Sequence, residues 1–234
     1  SRPAATVSDN PLAGCGIDNA VIELNGPEVP IMDGSAAPFV FLIECAGVAV
    51  LDSPPRALRV LSDVSVSEPH RAASLAPGSG YTVGFEIEFP NTLIGHQEWF
   101  TEVNESAFKR DVARARTFGL AQDIEKMRAM GLARGGSLEN AIVVNGLEIV
   151  NDDGLRFENE FVRHKVLDSI GDLYMAGGPI IGHFQGDRAG HALTLRLLHA
   201  LFADEDAWEW TELTATPPVA GAQAQPGRAV AARA

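Results

Sequence analysis

Residues 161–172 read Phe-Val-Arg-His-Lys-Val-Leu-Asp-Ser-Ile-Gly-Asp. Val166, Leu167, Ile170 and Leu173 recur at helical spacing, which predicts a helix over about 157–175 with one apolar stripe buried against another layer. His164, Asp168 and Asp172 fall at i, i+4 and i+8, so they stack on one face of that helix. An imidazole and a carboxylate one turn apart can grip a single metal ion, and zinc accepts both nitrogen and oxygen donors. A hydrolytic zinc site takes three protein ligands plus a water, and this helix offers two. A His–Asp pair at this spacing is also common as exposed or capping side chains. Two neighbouring stretches strengthen the metal reading. Gly190-His191-Ala192-Leu193 opens another apolar helix, and Arg114-Ala115-Arg116-Thr117-Phe118-Gly119 closes a helical pattern with a hydroxyl and an aromatic ring.

Outward from this helix, strands and helices mix without strict βαβ alternation, which predicts α+β layers. Tyr81–Phe89 alternates apolar and polar side chains as a half-buried antiparallel strand does. Further strands are expected at 17–24, 58–66, 71–75, 97–102, 180–184 and 208–213. Helices are expected at 36–46, 105–114, 123–130 and 191–203. Asn145-Gly146, between apolar stretches 141–144 and 147–150, is a strong hairpin signal. Asp52-Ser53-Pro54-Pro55 marks a linker, since consecutive prolines continue neither helix nor central strand. Residues 1–11 read as an unstructured lead-in. Residues 12–53 read as one unit and 57–213 as a second carrying an insert at 119–150. The Ala/Pro/Gly-rich stretch 214–234 reads as a disordered tail.

With 234 residues and 46% hydrophobic composition, the chain can bury a substantial core. A formal charge of −13 argues against nucleic acid and against simple adhesion to anionic lipid. An anionic ligand would need a local basic cluster, for which Arg163, Lys165 and Arg188 lie near the motifs. No apolar run is long enough for a membrane span, and no signal peptide is readable. Cys15 and Cys45 show no redox or metal spacing, so a reducing, cytoplasmic location is expected.

Six stretches, in order along the chain, resemble the UDP-3-O-acyl-N-acetylglucosamine deacetylases, the zinc amidases of lipid A biosynthesis. They are Gly16–Ala20, Pro30–Phe39, Ala115–Gly119, Gly135-Gly136-Ser137-Leu138, the 161–172 helix and Gly190–Leu193. The resemblance implies two similar sheet-and-helix domains with facing helical layers, the first truncated here. It implies Zn2+ on His164 and Asp168, with Asp172 supporting them, and His191 as general acid or oxyanion stabiliser. Thr117 would offer its hydroxyl to the oxyanion. Lys165 would contact a UDP-linked acylated amino sugar, with Arg188 of the basic cluster as a further substrate contact. Phe118 with the 119–150 insert would border its acyl chain, the insert's Leu120, Ile124, Met127, Leu132 and Ile142 leaving an apolar channel open. A monomer is expected.

One departure matters. The family carries a Glu-His pair, general base and third zinc ligand, just before the stretch matching Leu12-Ala13-Gly14-Cys15-Gly16. Here Ser8-Asp9-Asn10-Pro11 stands there, and no histidine precedes His70. Pro11 is also expected to disrupt the helix that would carry the pair. Two functions therefore compete: a zinc-dependent deacetylase lacking most of its N-terminal domain, and an inactive relic that binds acyl chain or UDP-sugar without turnover. A scaffold with no small-molecule site is the weaker third.

Overall fold

The computed structural model describes residues 5–26, 28–131 and 135–213. Two helices come first, α1 (Ala5–Gly14) and α2 (Ala37–Ala46), followed by strands β1 (Arg56–Val60), β2 (Val64–Glu68), β3 (Arg71–Ala76), β4 (Tyr81–Phe89) and β5 (Gly95–Glu102). A short α3 (Glu105–Ala107) runs into a π-helical turn, Phe108–Val112. Then come β6 (Phe118–Leu120), α4 (Ala121–Ala129), β7 (Ile142–Asn145), β8 (Glu148–Ile149), α5 (Glu160–Tyr174), β9 (Ile180–Asp187), α6 (His191–Ala203) and β10 (Trp208–Glu212).

Strand β9 is the spine of a seven-stranded sheet. It pairs antiparallel with β3 and parallel with β4, and meets β1 in parallel through Leu58 and Arg59. Close approach here depends on absent side chains: a Cβ on Gly186 would sit 2.5 Å from the Phe85 ring. Helices α5 and α6 cover the sheet, α5 over β4 and β5, α6 over β2 and β3, while α1 packs on α5. The α+β expectation is met. Because α5 lies between sheet and helices, Phe161, Val162, Val166, Leu167, Ile170 and Leu173 are all buried, and so are the polar Glu160, His164 and Asp172.

Several expectations need correction. The lead-in 1–11 is not wholly irregular, because α1 runs from Ala5 through Pro11. Packing of α1 on α5 outweighs the backbone hydrogen bond that proline removes. Residues 17–24 form no strand; a strand needs an edge to pair with, and none among the described residues lies beside them. The single strand expected at 58–66 breaks at 61–63 into β1 and β2. The helix expected at 105–114 shortens to one capped turn plus the π turn, its start fixed by Ala107 N donating to Asn104 Oδ1. Within the 119–150 insert the hairpin forms about Asn145-Gly146, with Gly146 at φ +60°. It joins β6, which the sequence pattern did not reveal, in a three-stranded sheet. Ile142 is fully buried in the core and so faces no channel. Met127 and Leu132 lie among side chains outside the description, as does the tail from 214.

Candidate metal centre and catalytic cleft

His164 and Asp168 do share one face of α5, and two contacts organise them. His164 Nδ1 lies 3.0 Å from the carbonyl oxygen of Ala115. A carbonyl only accepts, so in the neutral ring Nδ1 carries the proton and Nε2 keeps its lone pair. That Nε2 lies 3.4 Å from Asp168 Oδ1, while Lys165 Nζ donates to Asp168 Oδ2 at 2.8 Å. Burial alone would raise the Asp168 carboxyl; Lys165, then His164 and His191, overcome it and hold it down to about 2. Asp168 is thus ionised and ready as a ligand at neutral pH.

One turn on, the buried Asp172 accepts from His191 Nδ1, 2.9 Å from both carboxylate oxygens. This fixes the His191 tautomer from behind and leaves its Nε2 for other work. The Asp172 hydrogen bond raises the His191 pKa, against desolvation and with further support from the charge of Asp168. His191 begins α6 behind the N-cap Gly190, so the helix start places its ring at the end of α5.

The opposite wall comes from two loops tied together. Thr117 N donates to Gly34 O at 2.8 Å, and Ile142 N donates to Thr117 O at 2.8 Å. Arg116 anchors this strand entry: its N and Nε both donate to Glu160 Oε1, at 3.0 and 2.9 Å. Arg156 holds the other loop through Asp33 at 2.8 Å. Ser35 and Arg156 hydrogen bonds keep the Asp33 carboxyl below its ordinary range although burial pushes it up. The result is a cleft of about 180 Å³ whose lining includes Thr117, His164, Asp168, His191, Ser35 and Asn10.

The family model for UDP-3-O-acyl N-acetylglycosamine deacetylase matches residues 10–203, most of the chain. The chain belongs to the UDP-3-O-acyl-N-acetylglucosamine deacetylase family. It is 52% identical over 203 residues to the deacetylase of that name from Acidithiobacillus ferrooxidans, covering 86% of this chain and 67% of the relative. Identity to the Stenotrophomonas maltophilia deacetylase is 48% over 210 residues, 88% of this chain and 69% of the relative. For the Hahella chejuensis deacetylase it is 50% over 200 residues, 85% and 66%. The chain thus spans about two thirds of the length of these curated relatives.

In this member of the family the remaining predicted residues lie beside the cleft. Lys165 and Arg188 line a neighbouring hollow of about 320 Å³ together with His70, Arg71 and Phe89. Arg188 sits at φ +48° and pairs with Asp187 at 2.8 Å. Half-buried Phe118 stacks edge-on against Phe89, Phe161 and His164, with the His164 centroid 6.3 Å away. It packs against the His164 ring and lies outside the residues that line the cleft and the hollow.

The donor set fits a zinc ion in part. A free imidazole Nε2 beside an ionised carboxylate is a suitable pair. Among the described residues no three His, Cys, Asp or Glu side chains cluster as a metal site. Ser35 and Asn10 were not singled out from sequence. Ser35 lies within the Pro30–Phe39 motif and was within reach; Asn10 stood in a stretch read as irregular, where polarity carries no facing.

Proposed function

We infer that this chain holds zinc on His164 and Asp168 and hydrolyses the N-acetyl group of UDP-3-O-(3-hydroxyacyl)-N-acetylglucosamine, releasing acetate. The observation that carries this is one cleft shared by the His164 Nε2–Asp168 Oδ1 pair and the His191–Asp172 dyad. Zinc, when bound, supplies Lewis-acid polarisation of the amide carbonyl and acidifies water to a pKa of about 7. The chain's own residues do the rest. His191, kept protonated by Asp172, gives its Nε2 proton to the departing amine nitrogen. Thr117 offers its hydroxyl to the developing oxyanion. Lys165 and Arg188 meet the diphosphate from the adjoining hollow. Phe118 borders the acyl chain. The substrate is made and used in the cytoplasm on this proposal, and no helix among the described residues is long and apolar enough to cross a membrane.

The lack of a three-residue His/Cys/Asp/Glu cluster among the described residues favours a second reading, in which the chain binds the UDP-sugar without turnover. Acetate release and UDP-sugar binding, measured side by side at stoichiometric zinc, separate the two. Turnover that disappears in both His164→Ala and His191→Ala supports the deacetylase. Binding without acetate release supports the second reading, and neither binding nor release overturns both.

A further inference from the structure

We propose that His70 is a further ligand-binding residue, an imidazole whose proton sets how tightly the hollow beside the cleft holds the substrate's diphosphate. This rests on the reading that Lys165 and Arg188 meet that diphosphate. Pro69 and His70 form the two-residue loop between β2 and β3, closed by the pair Glu68 and Arg71. Proline at the first loop position fixes φ at about −65°, and His70 follows at φ +66°, so the turn is type II and its second position suits glycine. The hairpin thus closes without an imidazole, and a side chain held in a left-handed conformation beside a hollow points to function rather than fold. Arg188 is left-handed too, at φ +48°. Strand β3 pairs with β9 through Ala72 and Asp187, so one step further the register brings Arg71 level with Arg188. With Lys165 from α5, these side chains line the one hollow. Its three permanent cations are already engaged: Arg71 with Glu68 at 3.4 Å, Lys165 with Asp168 at 2.8 Å and Arg188 with Asp187 at 2.8 Å. Exposed His70 has no hydrogen bond or ion pair among the described residues, so it meets an incoming anion without giving up a partner. Its neutral ring gives one N–H; the protonated ring gives two and a positive charge. Of the charged side chains that share the hollow, Arg71, Glu88, Lys165 and Arg188, none is a histidine, whose ordinary range alone lies near neutral pH. Affinity for the diphosphate therefore rises as pH falls through the histidine range.

The test uses the whole chain and UDP-N-acetylglucosamine, whose doubly esterified diphosphate has no terminal phosphate to ionise at about pH 6. Affinity by calorimetry is expected to rise about 2–5-fold from about pH 8.5 to about pH 5.5, the scale of one exposed ion pair. His70→Asn tolerates the left-handed turn and removes the charge, so its pH profile should flatten. By linkage, saturating ligand should move the His70 ring titration, followed by NMR, to higher pH. A flat profile in the parent chain, a rise that persists in His70→Asn, or a His70 titration unmoved by ligand overturns the role of His70. Weakened binding in Lys165→Ala and Arg188→Ala then leaves the diphosphate reading standing. If those two variants bind as the parent does, or the parent binds nothing, the diphosphate reading falls and this proposal with it. Circular dichroism reports the fold of each variant, and if His70→Asn fails to fold, the NMR titration of the parent chain decides.

Discussion

His191 is half-exposed at 56% yet tied to a buried carboxylate at 6%, so one hydrogen bond governs its proton. Its pKa is raised by the Asp172 hydrogen bond, with desolvation opposing. A raised folded pKa means that the bond stabilises the fold fully below the ordinary histidine value of about 6.5, and that this is lost as pH rises through the folded value. Asp172→Asn keeps the shape and removes the charge. The His191 ring should then titrate at lower pH by NMR, and the basic limb of acetate release should move the same way. At about pH 7.5 the rate should drop roughly 10²-fold or more, the scale of general acid catalysis. An unmoved His191 titration would show that the carboxylate does not hold the proton. Spacing alone made His164, Asp168 and Asp172 legible, because helical period fixes facing. The partnership of Asp172 with His191 was not legible, since it joins two helices 19 residues apart.

Helix α5 is held at its start by a buried charge pair. Glu160 is fully buried and Arg116 is 3% exposed, and the Arg116 guanidinium also reaches Asp153 at 2.7 Å and the Gly154 carbonyl. Breaking one side leaves the other charge unpaired inside, so Arg116→Met should cost about 3–5 kcal/mol in urea unfolding. Adding Glu160→Gln should recover part of that loss; strictly additive losses would show that the two do not act as a pair. The 33–36 loop is fixed differently. Gly34 sits at φ +81°, and a Cβ there would strike the Asn140 carbonyl. Gly34→Ala should therefore destabilise by about 1–3 kcal/mol. It should also lower turnover, because Gly34 O positions Thr117. Turnover at the wild-type rate in that variant would separate the loop from catalysis. Elements with a clean period, such as α5, α6 and β4, were readable because local pattern and packing agree. The π turn and β6 were not, since each exists through contacts made elsewhere in the chain.

Across the molecule, one core runs from Cys15 on the helical side to Ala207 beside β10. The stretch between α1 and β1 departs from it. Val21 is 92% exposed, Val50 90%, Phe41 64% and Leu51 61%. The strand expected at 17–24 does not form, because strand structure needs a paired edge, which sequence pattern cannot supply. Large apolar side chains exposed to this degree are available for association. The 234-residue chain should bind a hydrophobic dye at neutral pH and grow in apparent mass with concentration by light scattering. Charge helps little, since the −13 balance is spread over the whole chain while these apolar side chains are individually exposed. Val21→Asp with Val50→Asp should reduce both signals and leave zinc affinity unchanged, because neither residue lines the cleft. A chain that stays monodisperse at high concentration without binding dye would mean that these side chains are covered in solution by the chain itself.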